Sequence, residues 1–222
     1  MKGETEGFIL AAQDQALFTR NFLANVIKNG ADPLCRFCRK FNEDIDHLIS
    51  GCPVLAKTEY KKRHDKVGQY IHWKLCKQFE LPCANKWYQH ETEPVVENEK
   101  ATILWDFDVH TDKTIKANRP DIIVKDYENR TCFLIDMSNP SDNNVSVKEI
   151  EKLSKYKDLE IEITKMWRIK AVTVPVIIGA LGVINKNVEK HIRKLPCTLN
   201  IQEMQKITLM GTAQILRKTL SN

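Results

Sequence analysis

Long apolar runs are missing from this 222-residue chain. The longest, Val174 to Ile184, is too short to cross a bilayer, so no membrane-spanning helix is expected. The opening Met-Lys-Gly-Glu-Thr-Glu-Gly carries no signal-peptide pattern, and nothing suggests secretion. Internal repeats and low-complexity segments are also lacking, which excludes solenoids and linker-like chains. Glycine and proline are sparse at eight each, and a 42% hydrophobic, 28% charged composition describes a globular protein. Seven cysteines are an odd number without an export signal, so metal binding or simple burial is expected in place of a disulfide framework. The net charge of +5 is small and local: residues 33–77 hold ten Lys/Arg against five Asp/Glu, and the rest of the chain balances. Such an excess suits a local polyanion-facing surface.

The hydrophobic pattern divides the chain. Helical spacing runs through residues 7–28 and ends at Asn29-Gly30, where glycine accepts left-handed dihedrals. Residues 33–53 are Cys-rich and aperiodic, and 55–79 are helical again through Tyr60, Val67, Ile71, Leu75 and Phe79. Residues 81–100, with Pro82 and Pro94, read as a linker between a helical region at 1–80 and a second domain at 101–222. In that domain, strands are expected at 102–109, 121–125 and 131–137, then a long helix at 145–167, a buried strand at 172–181 and helices near 185–195 and 201–220. Asn200 and Glu203 approximate a capping box for the last helix. The order strand, hairpin, helix, strand implies an α/β fold with a small mixed sheet flanked by helices.

Cys35, Cys38, His47 and Cys52 form C-x2-C-x8-H-x4-C. Zinc takes four soft or borderline ligands in a tetrahedron, and all four positions filled by protein make a structural rather than catalytic site. Such a site supplies folding energy that so short a segment cannot draw from its own core. Cys76, Cys83, Cys132 and Cys197 have no matching partners and read as buried or surface thiols. Arg36, Arg39 and Lys40 lie within the knuckle, and Lys61, Lys62 and Arg63 follow it, giving candidate phosphate contacts. Tyr60, Tyr70, His72 and Trp73 interleave with them, either to stack on bases or, the favoured reading, to pack inward.

Asp121 opens one expected strand and Asp136 closes the next. A two-residue turn at Glu128-Asn129 pairs residues whose numbers sum to 257, which sets these carboxylates opposite each other on one face. Ile122, Val124, Phe133 and Ile135 then take the other face. Like charges so placed call for a cation, and Mg²⁺ accepts one or two carboxylates with waters and phosphate oxygens. Lys148, Lys152 and Lys155 share a helix face with Tyr156 just downstream, with Ile150, Leu153 and Ile161 on the other side. An edge-strand acid pair and a solvated lysine row remain the alternative on spacing alone.

Arg119-Pro120-Asp121, then Asp136, then Glu151-Lys152-Leu-Ser-Lys155-Tyr156 resembles the restriction-like endonuclease of site-specific non-LTR retrotransposons, a branch of the PD-(D/E)xK superfamily. The upstream Cys/His cluster is similar to the zinc knuckle preceding that nuclease, and the order matches. The resemblance covers about residues 33–160. It implies a restriction-endonuclease-like fold behind a helical zinc module, structural Zn²⁺ and catalytic Mg²⁺, and nicking of target DNA that primes reverse transcription. Asp121 and Asp136 would hold Mg²⁺ and Lys152 would be the catalytic lysine, with Lys155 or Tyr156 assisting. The superfamily's usual lysine position is Ser138 here, so the choice among Lys148, Lys152 and Lys155 stays open. DNA, with RNA as a second candidate, and the reverse transcriptase portion of the same polyprotein are the implied partners, and the nucleus the implied location. No polymerase signature occurs in the chain, which therefore resembles the carboxyl-terminal piece of such a polyprotein or a genomic remnant of one. A catalytically inactive nucleic-acid-binding module is the alternative.

Overall fold

The computed structural model describes residues 2–221. Its centre is a five-stranded mixed sheet in the order β1-β2-β3-β4-β5. Strands β1 (Val95–Glu97), β2 (Ala101–Trp105), β3 (Ile122–Asp126) and β4 (Thr131–Ser138) form an antiparallel meander. Strand β5 (Lys170–Ile177) returns parallel to β4 after a crossover through α5 (Val145–Lys155) and α6 (Lys157–Trp167). Pro175 lies within β5 and cannot donate to a ladder, a residue that an edge strand tolerates. The protein is thus mixed α/β, as its sequence pattern implies.

The hairpin register is the expected one. Ile122 pairs with Ile135 and Val124 with Phe133, and every pair of the ladder sums to 257. The turn differs in its chemistry. Asp126, fully buried, accepts from the Asn129 backbone N–H (2.9 Å) and from Asn129 Nδ2 (2.8 Å), and the left-handed residue is Arg130 at φ 48°, not Asn129.

Ile122, Val124, Phe133 and Ile135 share a core with Val174, Val176 and the apolar face of α4 (Lys61–Gln78). Gly68 lets α4 settle on the sheet, since a Cβ there would lie 2.5 Å from the Trp105 ring. On the opposite face, Ile123, Cys132 and Leu134 meet Tyr156, Leu159 and Ile163 of the crossover. A third core joins the cysteine-rich segment to Ala12 of α1 (Gly3–Gln13) and to Ile215 and Leu216 of α8 (Ile201–Leu220). Asn200 Oδ1 caps α8 by accepting from the Glu203 N–H at 2.9 Å, as expected.

Several boundaries move. The expected helix at 7–28 breaks after α1, and the chain restarts at α2 (Arg20–Phe22) under a Thr19 cap before a wide turn over Leu23–Ile27. Residues 53–78 run through α3 (Pro53–Leu55), a wide turn at Ala56–Tyr60 and α4. The long helix expected at 145–167 bends at Tyr156, between α5 and α6, because burial of that ring under the sheet takes precedence over helical continuity. Residues 81–100, expected as a linker, carry β1, which hydrogen-bonds into the sheet. Short helix α7 (Asn187–Ile192) packs on β5.

Candidate functional site

The Cys3His module is a hairpin followed by a helical turn. Leu34 bridges Asn42, and the Cys35 N–H donates to Phe41 O at 2.8 Å, folding Cys35 and Cys38 onto one side of a tight turn. Asp44 Oδ1 accepts from the His47 N–H at 2.7 Å and starts the wide turn His47–Gly51, which brings Cys52 back beside Cys35. Cys35 Sγ and Cys52 Sγ lie 3.9 Å apart, and Cys38 Sγ lies 3.3 Å from His47 Nε2. A zinc tetrahedron with bonds of about 2.3 Å has S···S edges of about 3.8 Å, so the four side chains could hold zinc as they stand. Burial lowers the His47 pKa, favouring the neutral ring that a metal ligand must be. Burial raises Cys35 to about 11, where a bound cation would offset the cost of the thiolate. Tyr60 clamps the module: its hydroxyl accepts from the Cys52 N–H (3.0 Å) and meets the carbonyl oxygens of His47 (2.9 Å) and Leu48 (3.0 Å). This aromatic is structural, in line with the favoured inward reading.

The hairpin brings Asp121 and Asp136 to one end of the sheet, one register step past the Ile122↔Ile135 pair. Asp136 is 2% exposed. Lys152 Nζ stands 2.5 Å from its Oδ2 and Lys155 Nζ 3.6 Å from its Oδ1. The Tyr156 hydroxyl donates to Asp136 Oδ1 and accepts from Lys155 Nζ at 2.7 Å, with Arg119 O also 3.0 Å away. Burial, reinforced by Asp136, pushes the Tyr156 pKa far up and keeps it a donor. Lys148 turns aside to Glu151 at 2.6 Å, so among the three candidate lysines Lys152 is nearest an acid of the pair. The inward seam of α5 and α6 runs through Val145, Glu149, Lys152, Tyr156, Leu159 and Ile163, while Ile150 is 69% exposed.

Asp121 has partners that spacing does not reveal. Its Oδ2 accepts from the Met137 N–H at 2.6 Å and meets His64 Nε2, at the start of α4, at 3.1 Å. Burial works against the charged carboxylate, but His64, the Met137 N–H and Lys152 hold its pKa below the usual range. Burial also opposes the imidazolium, yet Asp121 and Asp65 outweigh it and raise His64 to about 9. His64 is the residue that sequence reasoning missed. It sits inside the Lys-Lys-Arg-His run, and only the packing of α4 on the sheet aims it at Asp121.

A cleft of about 940 Å³ lies beside the Cys3His module; it reaches Asp121 only through His64, and neither Asp121, Asp136 nor Lys152 lines it. The Cys3His module forms one wall with Phe41, Asp44 and His47; Lys61, His64, Ser138 and Lys148 line the other. The expected basic contacts divide sharply. Arg36 is spent on Glu43 through bonds of 2.9 and 2.8 Å and on Thr219 O at 2.6 Å. Arg63 is buried, binding Thr212 Oγ1 (2.8 Å), Ile49 O (2.8 Å) and Asn139 O (3.1 Å), and burial lowers its pKa to about 10. Both tie the cysteine-rich module to the rest of the fold rather than facing solvent. Arg39, Lys40, Lys61 and Lys62 are exposed, three of them in surface ion pairs, with Asp32 (2.7 Å), Asp65 (2.8 Å) and Glu59 (3.6 Å) respectively.

The fold and this site define a mixed α/β protein with a Cys3His cluster able to hold zinc. No family model matches the chain, and no curated protein matches it. Among the described residues no helix is long and apolar enough to cross a membrane.

Proposed function

We propose that this chain is a Mg²⁺-dependent DNA endonuclease of the restriction-like type behind a zinc knuckle, the carboxyl-terminal part of a non-LTR retrotransposon polyprotein or a remnant of one. The observation that carries this reading is the convergence of Lys152, Lys155 and Tyr156 on Asp136, at the sheet end where Asp121 also lies and is joined by His64 to a cleft beside the Cys3His module. Two carboxylates fit Mg²⁺, which keeps the rest of its octahedron for waters and phosphate oxygens. Bound there, the ion would polarise a phosphodiester and acidify a water. The chain's own residues supply the rest. Lys152 places an ammonium where negative charge develops on phosphate, and Tyr156 fixes the Asp136 carboxylate. His64, charged at neutral pH, orients Asp121 from the cleft wall. Exposed Lys40, Lys61 and Lys62 meet backbone phosphates, so DNA is the partner, the reverse transcriptase portion of the polyprotein is its neighbour, and the nucleus is its place of action.

Plasmid relaxation tests this directly. Nicking that requires Mg²⁺ and falls about a hundredfold or more in Asp136→Ala and Lys152→Ala is the expected outcome. Equal nicking by wild type and Asp136→Ala removes the catalytic assignment. One observation favours a second reading: Asp136 is buried, with Lys152, Lys155 and Tyr156 all turned onto it, as in a structural ion cluster. An inactive nucleic-acid-binding module predicts salt-sensitive DNA binding with no nicking under any divalent ion.

A further inference from the structure

Away from the cleft, α4 and the segment before β1 build a second donor cluster. His72 and Cys76 are four residues apart on one helix, hence on one face. The loop over residues 81–90 folds back across that face and delivers His90. His72 Nδ1 lies 2.7 Å from His90 Nε2 and 3.5 Å from Cys76 Sγ, and all three donor atoms fall within 4.8 Å of one another. Each residue is buried.

We propose that His72, Cys76 and His90 form a second zinc site with three protein ligands. Two imidazole nitrogens and a thiolate suit zinc, with the fourth position left open. The surroundings are those of an oriented site: Gln69 Nε2 donates to His90 O, and Trp73 Nε1 donates to Ala84 O at 2.8 Å, so the loop is held onto α4 from both sides. His72 Nε2 takes no hydrogen bond among the described residues, which leaves Nδ1 as the only nitrogen of that ring with partners. The ion would pin the chain leading into β1 to the helix that covers the sheet, a role independent of the nuclease reading.

Metal counting on the whole protein tests this. After zinc loading and exhaustive dialysis, two zinc ions per chain are expected by mass spectrometry of the metal. Cys38→Ser should retain one, and Cys76→Ser should also retain one, while the double variant holds none. One zinc in the wild type, absent from Cys38→Ser, overturns the site without requiring any buried variant to fold. Cobalt titration of the wild type gives a second readout: two saturation steps with distinct thiolate absorption support two centres, and a single step at one equivalent overturns the second.

Discussion

Arg63 and Lys62 are neighbours in one basic run, yet they do different work. Lys62 is exposed, whereas Arg63 carries its guanidinium into the interior and binds two carbonyl oxygens and a threonine hydroxyl. Lys62→Ala is therefore expected to leave stability within about 0.5 kcal/mol and, if DNA is bound, to reduce the salt slope of binding by about one. Arg63→Ala should instead destabilise by about 3 kcal/mol, because three buried acceptors lose their partner. Denaturant titrations and salt-dependent DNA binding separate the two effects. The His64–Asp121 pair makes a second prediction. A raised imidazole pKa adds stability that is complete below about pH 6.5 and disappears as pH rises through about 9. In Asp121→Asn the His64 resonance should titrate at a lower pH, and the alkaline loss of stability over that window should shrink. An unchanged His64 titration curve would rule out the pairing.

The Cys3His module could hold zinc, and it packs on elements distant in sequence. Its Cys35, Leu48 and Ile49 share a core with Ile215 and Leu216 of α8, and Arg36 reaches Thr219 O. Cys38→Ser should accelerate hydrogen exchange over residues 33–53 and in the last turns of α8, while α4 and the sheet keep their protection. The reason α4 survives is that Val67, Ile71 and Leu75 belong to the sheet core, not to the module. Exchange that spreads evenly over the sheet would overturn this division. In α5 the seam facing inward carries Glu149 and Lys152 as well as apolar residues, and Glu149 Oε1 meets His191 Nε2 of α7 at 2.8 Å. A helix with an ionic seam has little to hold it without its partners, so its position follows from Asp136 and His191 as much as from hydrophobic burial.

Across the whole molecule, the first and last helices meet, with Arg217 donating to Thr5 Oγ1. Helices α1 and α8 both pack on the cysteine-rich segment, and α4 roofs one face of the sheet. A fragment starting at residue 101 would lose β1, α4 and the module together, exposing Ile103, Ile122, Val124 and Ile135. Such a fragment is expected to lack a cooperative thermal transition, measured by circular dichroism, whereas the full chain unfolds cooperatively. A sharp transition in the fragment would mean that the sheet is an autonomous unit.

Residue order alone carries the Cys/His spacing, the sum of 257 that pairs Ile122 with Ile135, and the alternation that puts Ile122, Val124, Phe133 and Ile135 on one face. These depend on contacts between near neighbours in the chain, where a turn or a strand period leaves few alternatives. The bend at Tyr156, the inward Arg36 and Arg63, the His64–Asp121 contact and the meeting of His72, Cys76 and His90 lie beyond that reach. Each arises where helices pack on the sheet, on a loop or on the cysteine module. Burial there decides which polar groups must find partners, and local sequence does not encode which distant group supplies them.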